Sequence, residues 1–145
     1  MTTGKICSRI VATVWPTETV RAAALRMAEN DVGSLVVIEA DGLHRPIGIL
    51  TDRDIAVRCV GGRLDPDKTP VSTVMTTRVH TIDEQAAVED ALSQMAAGGT
   101  RRLIVTGRGE RLVGVLSLDD VLDLLTTETA AIGKLLDKQR PHVTA

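Results

Sequence analysis

The chain contains the same segment twice. A shift of 68 positions lays Ile6-Cys7-Ser8 on Val74-Met75-Thr76, Thr13-Val14 on Thr81-Ile82, and Leu35 and Val37 on Leu103 and Val105. The same shift lays Val20, Ala23, Met27 and Ala28 on Val88, Ala91, Met95 and Ala96. Beyond about residue 38 the shift drops to 66, because the first copy carries two extra loop residues near Leu43-His44-Arg45. Each copy closes on one kind of turn, Gly48-Ile49-Leu50-Thr51-Asp52-Arg53-Asp54 and Gly114-Val115-Leu116-Ser117-Leu118-Asp119-Asp120. Matches that mix apolar, small and polar positions mark an internal repeat, which decides the architecture before any single residue does. Two copies make a paired module, whereas a solenoid needs about three.

Divided in two, 145 residues leave about 70 per copy, a length at which a core is marginal on its own. The halves are therefore expected to pack on each other. With no Phe, no Tyr and Trp15 as the one aromatic of this kind, the core must be built from Val, Leu, Ile, Ala and Met. A net charge of −2 without blocks of like charge, and the lack of stacking aromatics, argue against a nucleic-acid partner. No apolar run approaches the ~18 residues of a membrane span. The stretch from Met1 to Trp15 lacks the apolar run and cleavage site of a secretory signal. Cys7 and Cys59 read as two reduced thiols, and a cytoplasmic location is expected. His44, His80 and His142 are scattered without metal-ligand spacing, so no metal site is expected.

Each copy reads strand, helix, strand, strand, helix. In the first, Ile10 to Val14 is a β-branched run stopped by Pro16. Thr17 or Thr19 can cap a helix to about Asn30, with Val20, Ala24, Met27 and Ala28 at helical spacing. Ser34 to Glu39 has the continuous apolar run of a strand buried on both faces. Asp41-Gly42 turns the chain into Ile47 to Leu50, and Thr51 caps a helix over Arg53 to Val60, ended by Gly61-Gly62. In the second copy Val79 to Ile82 is the strand, and Asp83 caps a helix closed by Gly98-Gly99. A hairpin follows across Gly107-Arg108-Gly109-Glu110, and Ser117 caps the last helix. The fold class is α/β (α+β), two pseudo-symmetric β-α-β-β-α repeats packed as one module. Residues 1–67 form the first repeat with its connector, 68–126 the second, and 127–145 a C-terminal helical extension and tail. In that extension Ile132, Leu135 and Leu136 form a greasy edge among Lys134, Lys138 and Arg140, with Pro141 as the stop. It either folds back on its own module or makes a dimer contact.

The repeated turn has two chemical readings. A carboxylate accepts from both hydroxyls of a ribose. A helix N-terminus that follows a strand offers free N–H groups and partial positive charge to a phosphate. Equally, Thr51-x-x-Asp54 and Ser117-x-x-Asp120 fit a capping box that satisfies the helix's own N–H groups. The two roles can coexist. Asp119-Asp120 reads either as a pair of acids for a metal or as solvated helix-start charge, and Met27 and Met95 read as core.

These residues together resemble a tandem pair of cystathionine β-synthase (CBS) domains, often called a Bateman module. The resemblance spans nearly the whole chain and rests on Thr13-Val14-Trp15-Pro16, Met27 and Met95, Val36-Val37 and the two closing turns. It departs from many copies of the family at Val36 and Ile104, where a proline is common. It implies an adenosine-containing ligand (AMP, ADP or ATP, otherwise S-adenosylmethionine or NAD(H)) in two clefts between the copies. By that resemblance Asp54 and Asp120 accept from ribose hydroxyls, and Thr51 and Ser117 reach the phosphate. Thr13-Val14 and Thr81-Ile82 edge the adenine, and Arg101-Arg102 face phosphate. Gly33-Ser34 stands at the matching place of the first copy, so the Ser117–Asp120 site is the better candidate for a phosphorylated ligand. Arg53 and Asp119 flank the two motifs, and Trp15 either contacts the base or packs on Pro16.

The expectation is thus a regulatory module that binds an adenine nucleotide, associates as a homodimer and acts on a regulated protein the sequence does not name. A ligand-free dimerisation adaptor is the alternative. The chain has no room for a catalytic barrel of about 250 residues and no activated nucleophile, so enzymatic activity is not expected.

Overall fold

The computed structural model describes residues 1–139; Arg140, Pro141 and His142 lie outside them. The elements run α1 (Thr3–Ile6), β1 (Thr13–Val14), α2 (Val20–Asn30), β2 (Ser34–Ile38), β3 (Pro46–Thr51) and α3 (Asp52–Asp54), which continues as a π-helix over Ile55–Val60. Then follow α4 (Val71–Val74), β4 (Thr81–Asp83), α5 (Val88–Gly98), β5 (Arg102–Thr106), a 3-10 turn (Arg108–Glu110), β6 (Leu112–Ser117) and α6 (Leu118–Gln139).

Two three-stranded sheets result, β1-β2-β3 and β4-β5-β6. In each, the first pair is parallel and the second antiparallel, in matching register: Thr13 opposite Val36 and Thr81 opposite Ile104, Val37 opposite Gly48 and Val105 opposite Gly114. The central strands are buried on both faces, as their unbroken apolar runs imply. Leu35 and Val37 point into a core under α2, and Leu103 and Val105 into one under α5. The alternate residues Val36, Ile38 and Ile104 form a third core with Ile49, Leu112 and Val115 where the two sheets meet. That third core joins the halves, as the shortness of each copy requires.

The repeats also exchange their opening segments. Although α1 begins the first copy in sequence, it lies on the second sheet. Ser8 exchanges two backbone hydrogen bonds with Val115 at 2.9 Å, and the Thr3 hydroxyl donates to the Asp83 carbonyl at 2.7 Å. In return α4 lies on the first sheet: Thr76 pairs with Ile49, and Val71 N–H donates to the Glu18 carbonyl at 2.8 Å. Gly48 and Gly114 allow these approaches. A Cβ on Gly48 would stand 2.9 Å from the Met75 sulfur, and one on Gly114 would run into the Ser8 carbonyl.

Several local expectations are revised. β1 keeps only Thr13–Val14 of the expected run, and Ile10 is 95% exposed. Thr19 caps α2 by accepting from Ala22 N–H at 3.2 Å. Asp83 does not cap α5: it ends β4, and its carboxylate accepts from Gln85 N–H at 2.7 Å within a turn. The first N–H of α5, on Val88, donates instead to the Met1 carbonyl, as Val20 N–H of α2 donates to Thr69. The segment after Asp54 is π-helical rather than α-helical, with Gly61 N–H donating to the Ala56 carbonyl five residues back at 2.9 Å. The described part of the C-terminal extension, to Gln139, does not fold back. It continues α6 without a break, with Ile132, Leu135 and Leu136 more than half exposed.

Candidate functional site: a cleft between the repeats

Both closing turns form reciprocal capping pairs. Thr51 N–H donates to Asp54 Oδ2 at 3.0 Å, and Asp54 N–H to Thr51 Oγ1 at 3.0 Å. Ser117 N–H donates to Asp120 Oδ2 at 2.9 Å, and Asp120 N–H to Ser117 Oγ at 3.1 Å. In such a pair each hydroxyl oxygen accepts one bond and keeps its own proton to donate. The capping reading of the motif is thus realised, and it leaves the hydroxyls usable.

The two aspartates differ in their surroundings. Asp54 also accepts from the Thr76 hydroxyl at 3.3 Å, lies 3.9 Å from Arg58 Nε, and keeps a side chain only 12% exposed. Asp120 lines an open cavity of about 410 Å³ with Ser8, Ile10, Val11, Ala12, Asp31 and Val115. Its neighbour is a cavity of about 470 Å³ lined by Ile49, Thr51, His80, Thr100, Arg101, Leu118 and Asp119. Ser34, Arg102 and Ser117 line both, so the two form one cleft floored by the central sheets. Either volume falls in the ordinary range of a small-molecule site.

The structure therefore brings Thr51, Arg101, Arg102, Ser117 and Asp119 into one cavity and Asp120 into the next. Arg101 and Asp120 line different cavities, contrary to the expectation of one Ser117–Asp120–Arg101–Arg102 site, although Arg101 lies beside the start of α6, where its carbonyl accepts from Leu118 N–H at 2.8 Å. Arg53 is exposed and lines neither cavity. Thr13-Val14 and Thr81-Ile82 are not brought to the cleft. Val14 and Ile82 are core residues, 1% and 4% exposed, and Thr13 lines a separate hollow with Trp15, Glu18 and Arg26. The strand-entry residues just before them, Val11-Ala12 and His80, take the wall instead. The repeat register, which lays Ala12 on His80, was the signal that pointed to them. Thr100 was likewise missed, although it immediately precedes Arg101-Arg102; Ser34, matched to Arg102, lines both cavities.

Arg101 lies 3.6 Å from Asp119, with both side chains over 70% exposed. Such a pair in solvent is weak and leaves the guanidinium open to a stronger anion. Beside the cleft, burial pushes the Cys7 thiol up from its ordinary value, so it is a packed thiol rather than a thiolate. In the outer hollow Arg26 forks onto Glu18 at 2.6 and 2.8 Å, and this bond holds the Glu18 carboxyl below its ordinary value. Among the described residues no three His, Cys, Asp or Glu side chains are placed to hold a metal ion, and no helix is long and apolar enough to cross a membrane.

The CBS-domain family model matches the chain twice, at residues 4–61 and 71–127. The chain is similar to the CBS domain-containing protein YhcV of Bacillus subtilis, 38% identical over 121 residues that make up 83% of each chain. It is similar to hypoxic response protein 1 of Mycobacterium tuberculosis, 33% identical over 123 residues and again 83% of each. Among solved structures it resembles the CBS domain protein PAE2072 of Pyrobaculum aerophilum complexed with AMP. That likeness has a TM-score of 0.72 and 30% identity, and covers 87% of this chain and 99% of the other.

Proposed function

The chain belongs to the CBS-domain family as a tandem pair, and from that premise we propose that it is a non-catalytic regulatory module that binds an adenosine-containing ligand between its repeats. The observation that carries this reading is the cleft itself. Both copies line it, and it gathers two guanidinium groups, five hydroxyls and the start of α6 over an apolar floor. Phosphate is matched by Arg101 and Arg102 and by the hydroxyl protons of Thr51 and Ser117. In the adjoining cavity ribose hydroxyls are matched by Asp120, whose described hydrogen bonds engage one carboxylate oxygen. The AMP complex of the Pyrobaculum relative supports adenine nucleotides, AMP, ADP or ATP, ahead of S-adenosylmethionine or NAD(H).

Because residues of both repeats line the cleft, a ligand there favours whichever packing of the halves fits it, and regulation follows by population shift. The module acts as a homodimer through its exposed helix faces on a protein partner. Calorimetric titration with AMP, ATP, S-adenosylmethionine and NADH tests the reading. Saturable binding is expected, weakened about tenfold or more in Arg102→Ala, with every nucleotide recovered unchanged. Turnover of any nucleotide by the pure protein overturns the non-catalytic assignment. A second reading, a ligand-free dimerisation adaptor, has the two intact capping pairs in its favour. No binding of any of the four compounds, with an unchanged melting temperature, decides for it.

A further inference from the structure

The two cavities of the cleft are related by the repeat but not in charge. Superposing the copies lays Ala12 on His80, Asp31 on Gly99, Gly33 on Arg101, Ser34 on Arg102 and Asp52 on Leu118. At each of these five positions the second copy is the more basic or the less acidic. One matched pair runs the other way, Arg53 on Asp119, and Arg53 lines neither cavity. The cavity holding Thr51 therefore has Arg101 and Arg102 against the single Asp119, with His80 beside them. The cavity holding Asp120 has Asp31 and Asp120 against the shared Arg102. A hollow continuous with it through Asp31, Val32 and Gly33 adds the Asp52 carboxylate.

Asp31 is informative in a second way. It ends α2 in the left-handed conformation, φ 52°, where the matched end of α5 uses Gly99 at φ 61°. A glycine takes that conformation without cost and an aspartate does so less readily. The first copy thus carries at this cavity wall a carboxylate that the matched position of the second copy lacks.

We propose that the two cavities take different classes of ligand. The Arg101–Arg102 cavity holds the phosphorylated adenosine compound. The Asp31–Asp120 cavity holds an adenosine compound without phosphate, neutral or positively charged at its 5′ end. A phosphate in the second cavity meets two carboxylates for one guanidinium, and that guanidinium is already shared with the first ligand. A nucleoside there offers ribose hydroxyls to Asp120 and its base to Val11, Val36 and Val115, at no electrostatic penalty. This inference rests on the adenosine-binding reading above and assigns its two subsites.

Titrations of the full chain with AMP, adenosine and S-adenosylmethionine separate the possibilities. AMP is expected to saturate at one equivalent per chain. The AMP-saturated protein is expected to take one further equivalent of adenosine or S-adenosylmethionine, and the tighter of the two identifies a neutral or a cationic ligand. Arg101→Ala is expected to weaken AMP about tenfold or more relative to adenosine, because it removes a charged phosphate contact. Asp31→Asn, which tolerates the left-handed conformation, is expected to admit a second equivalent of AMP. Two equivalents of AMP of equal affinity in the unaltered protein, or adenosine displacing AMP one for one, overturn the partition and leave the adenosine reading standing. Binding of none of the three compounds overturns both.

Discussion

Glu18 and Arg26 are the residue pair whose titration reads out the fold. The Arg26 fork lowers the Glu18 carboxyl pKa in the folded state, helped by the Trp15 N–H that donates to it at 2.8 Å. A carboxylate with a folded pKa below its unfolded one contributes stability that is complete above the unfolded value, near pH 4.3 for glutamate. That contribution is lost as the pH falls through the folded value. The side chains of Arg26 and Glu18 are 33% and 25% exposed, so solvent screening reduces the effect, and about 1 kcal/mol is a fair magnitude. Glu18→Gln is expected to lower stability by that amount at pH 7 and to leave a flatter profile below about pH 4.3. Urea unfolding at a series of pH values checks this, and parallel curves for the two proteins would sink it. The pair was absent from the sequence reading because its members stand eight residues apart, across a turn. At the cleft the reverse holds: Thr51, Ser117, Arg101 and Arg102 were legible because the repeat register sets each against its counterpart. The strand-edge residues were misplaced by one to three positions, since β1 and β4 begin later than their β-branched runs and turn Val14 and Ile82 inward.

At the scale of elements, the exchanged opening segments are what linear reading of the repeat could not supply. The 68-residue shift pairs Ile6-Cys7-Ser8 with Val74-Met75-Thr76, so the segments were visibly equivalent. Equivalence along the chain, however, does not say on which sheet each one lies. The remaining architecture was legible because apolar periodicity and turn residues act locally. The cap expected from Asp83 failed because its place is taken by a backbone carbonyl of Met1, a contact across more than eighty residues that no local signal announces. The two glycines that admit the exchanged segments provide the test. Gly114→Ala drives a methyl group into the Ser8 carbonyl backbone and to 2.8 Å from the Cys7 sulfur. Gly48→Ala meets the Thr76 carbonyl at 3.0 Å and the flexible Met75 side chain at 2.9 Å. Overpacking of this kind costs about 1–3 kcal/mol. Gly114→Ala is expected at the upper end with the larger fall in melting temperature, and Gly48→Ala at the lower. Hydrogen exchange should then find Ser8 and Val115 amides deprotected in Gly114→Ala. Unchanged protection there would mean that the N-terminal segment does not depend on the glycine.

For the molecule as a whole, the open question is what covers α6. Val121 is its one fully buried residue, and beyond it the helix runs on to Gln139. Leu118, Leu122, Leu125, Thr129, Ile132 and Leu136 recur along it at alternating spacings of four and three, the repeat of a seam between two helices. Leu122, Leu125, Ile132 and Leu136 are each about half exposed, at 48%, 47%, 59% and 54%. Burying the remainder of each is worth roughly 1 kcal/mol per side chain, which across both members of a pair makes a second copy of this chain the fitting occupant. Thr129 stands at the centre of this row with its hydroxyl donating to the Leu125 carbonyl at 2.8 Å. In a paired helix it is expected to weaken the seam and help fix its register, as a polar core position does in coiled coils. Light scattering is expected to find a dimer at micromolar concentration and a monomer for Ile132→Glu combined with Leu136→Glu. Both positions lie outside the three cores and away from the cleft. The double variant should therefore melt cooperatively and hold the nucleotide, so that loss of dimer with retained binding assigns α6 to assembly alone. A variant that remains dimeric would move the interface to the other apolar helix face, around Leu25, Val57 and Val60, which are also more than half exposed.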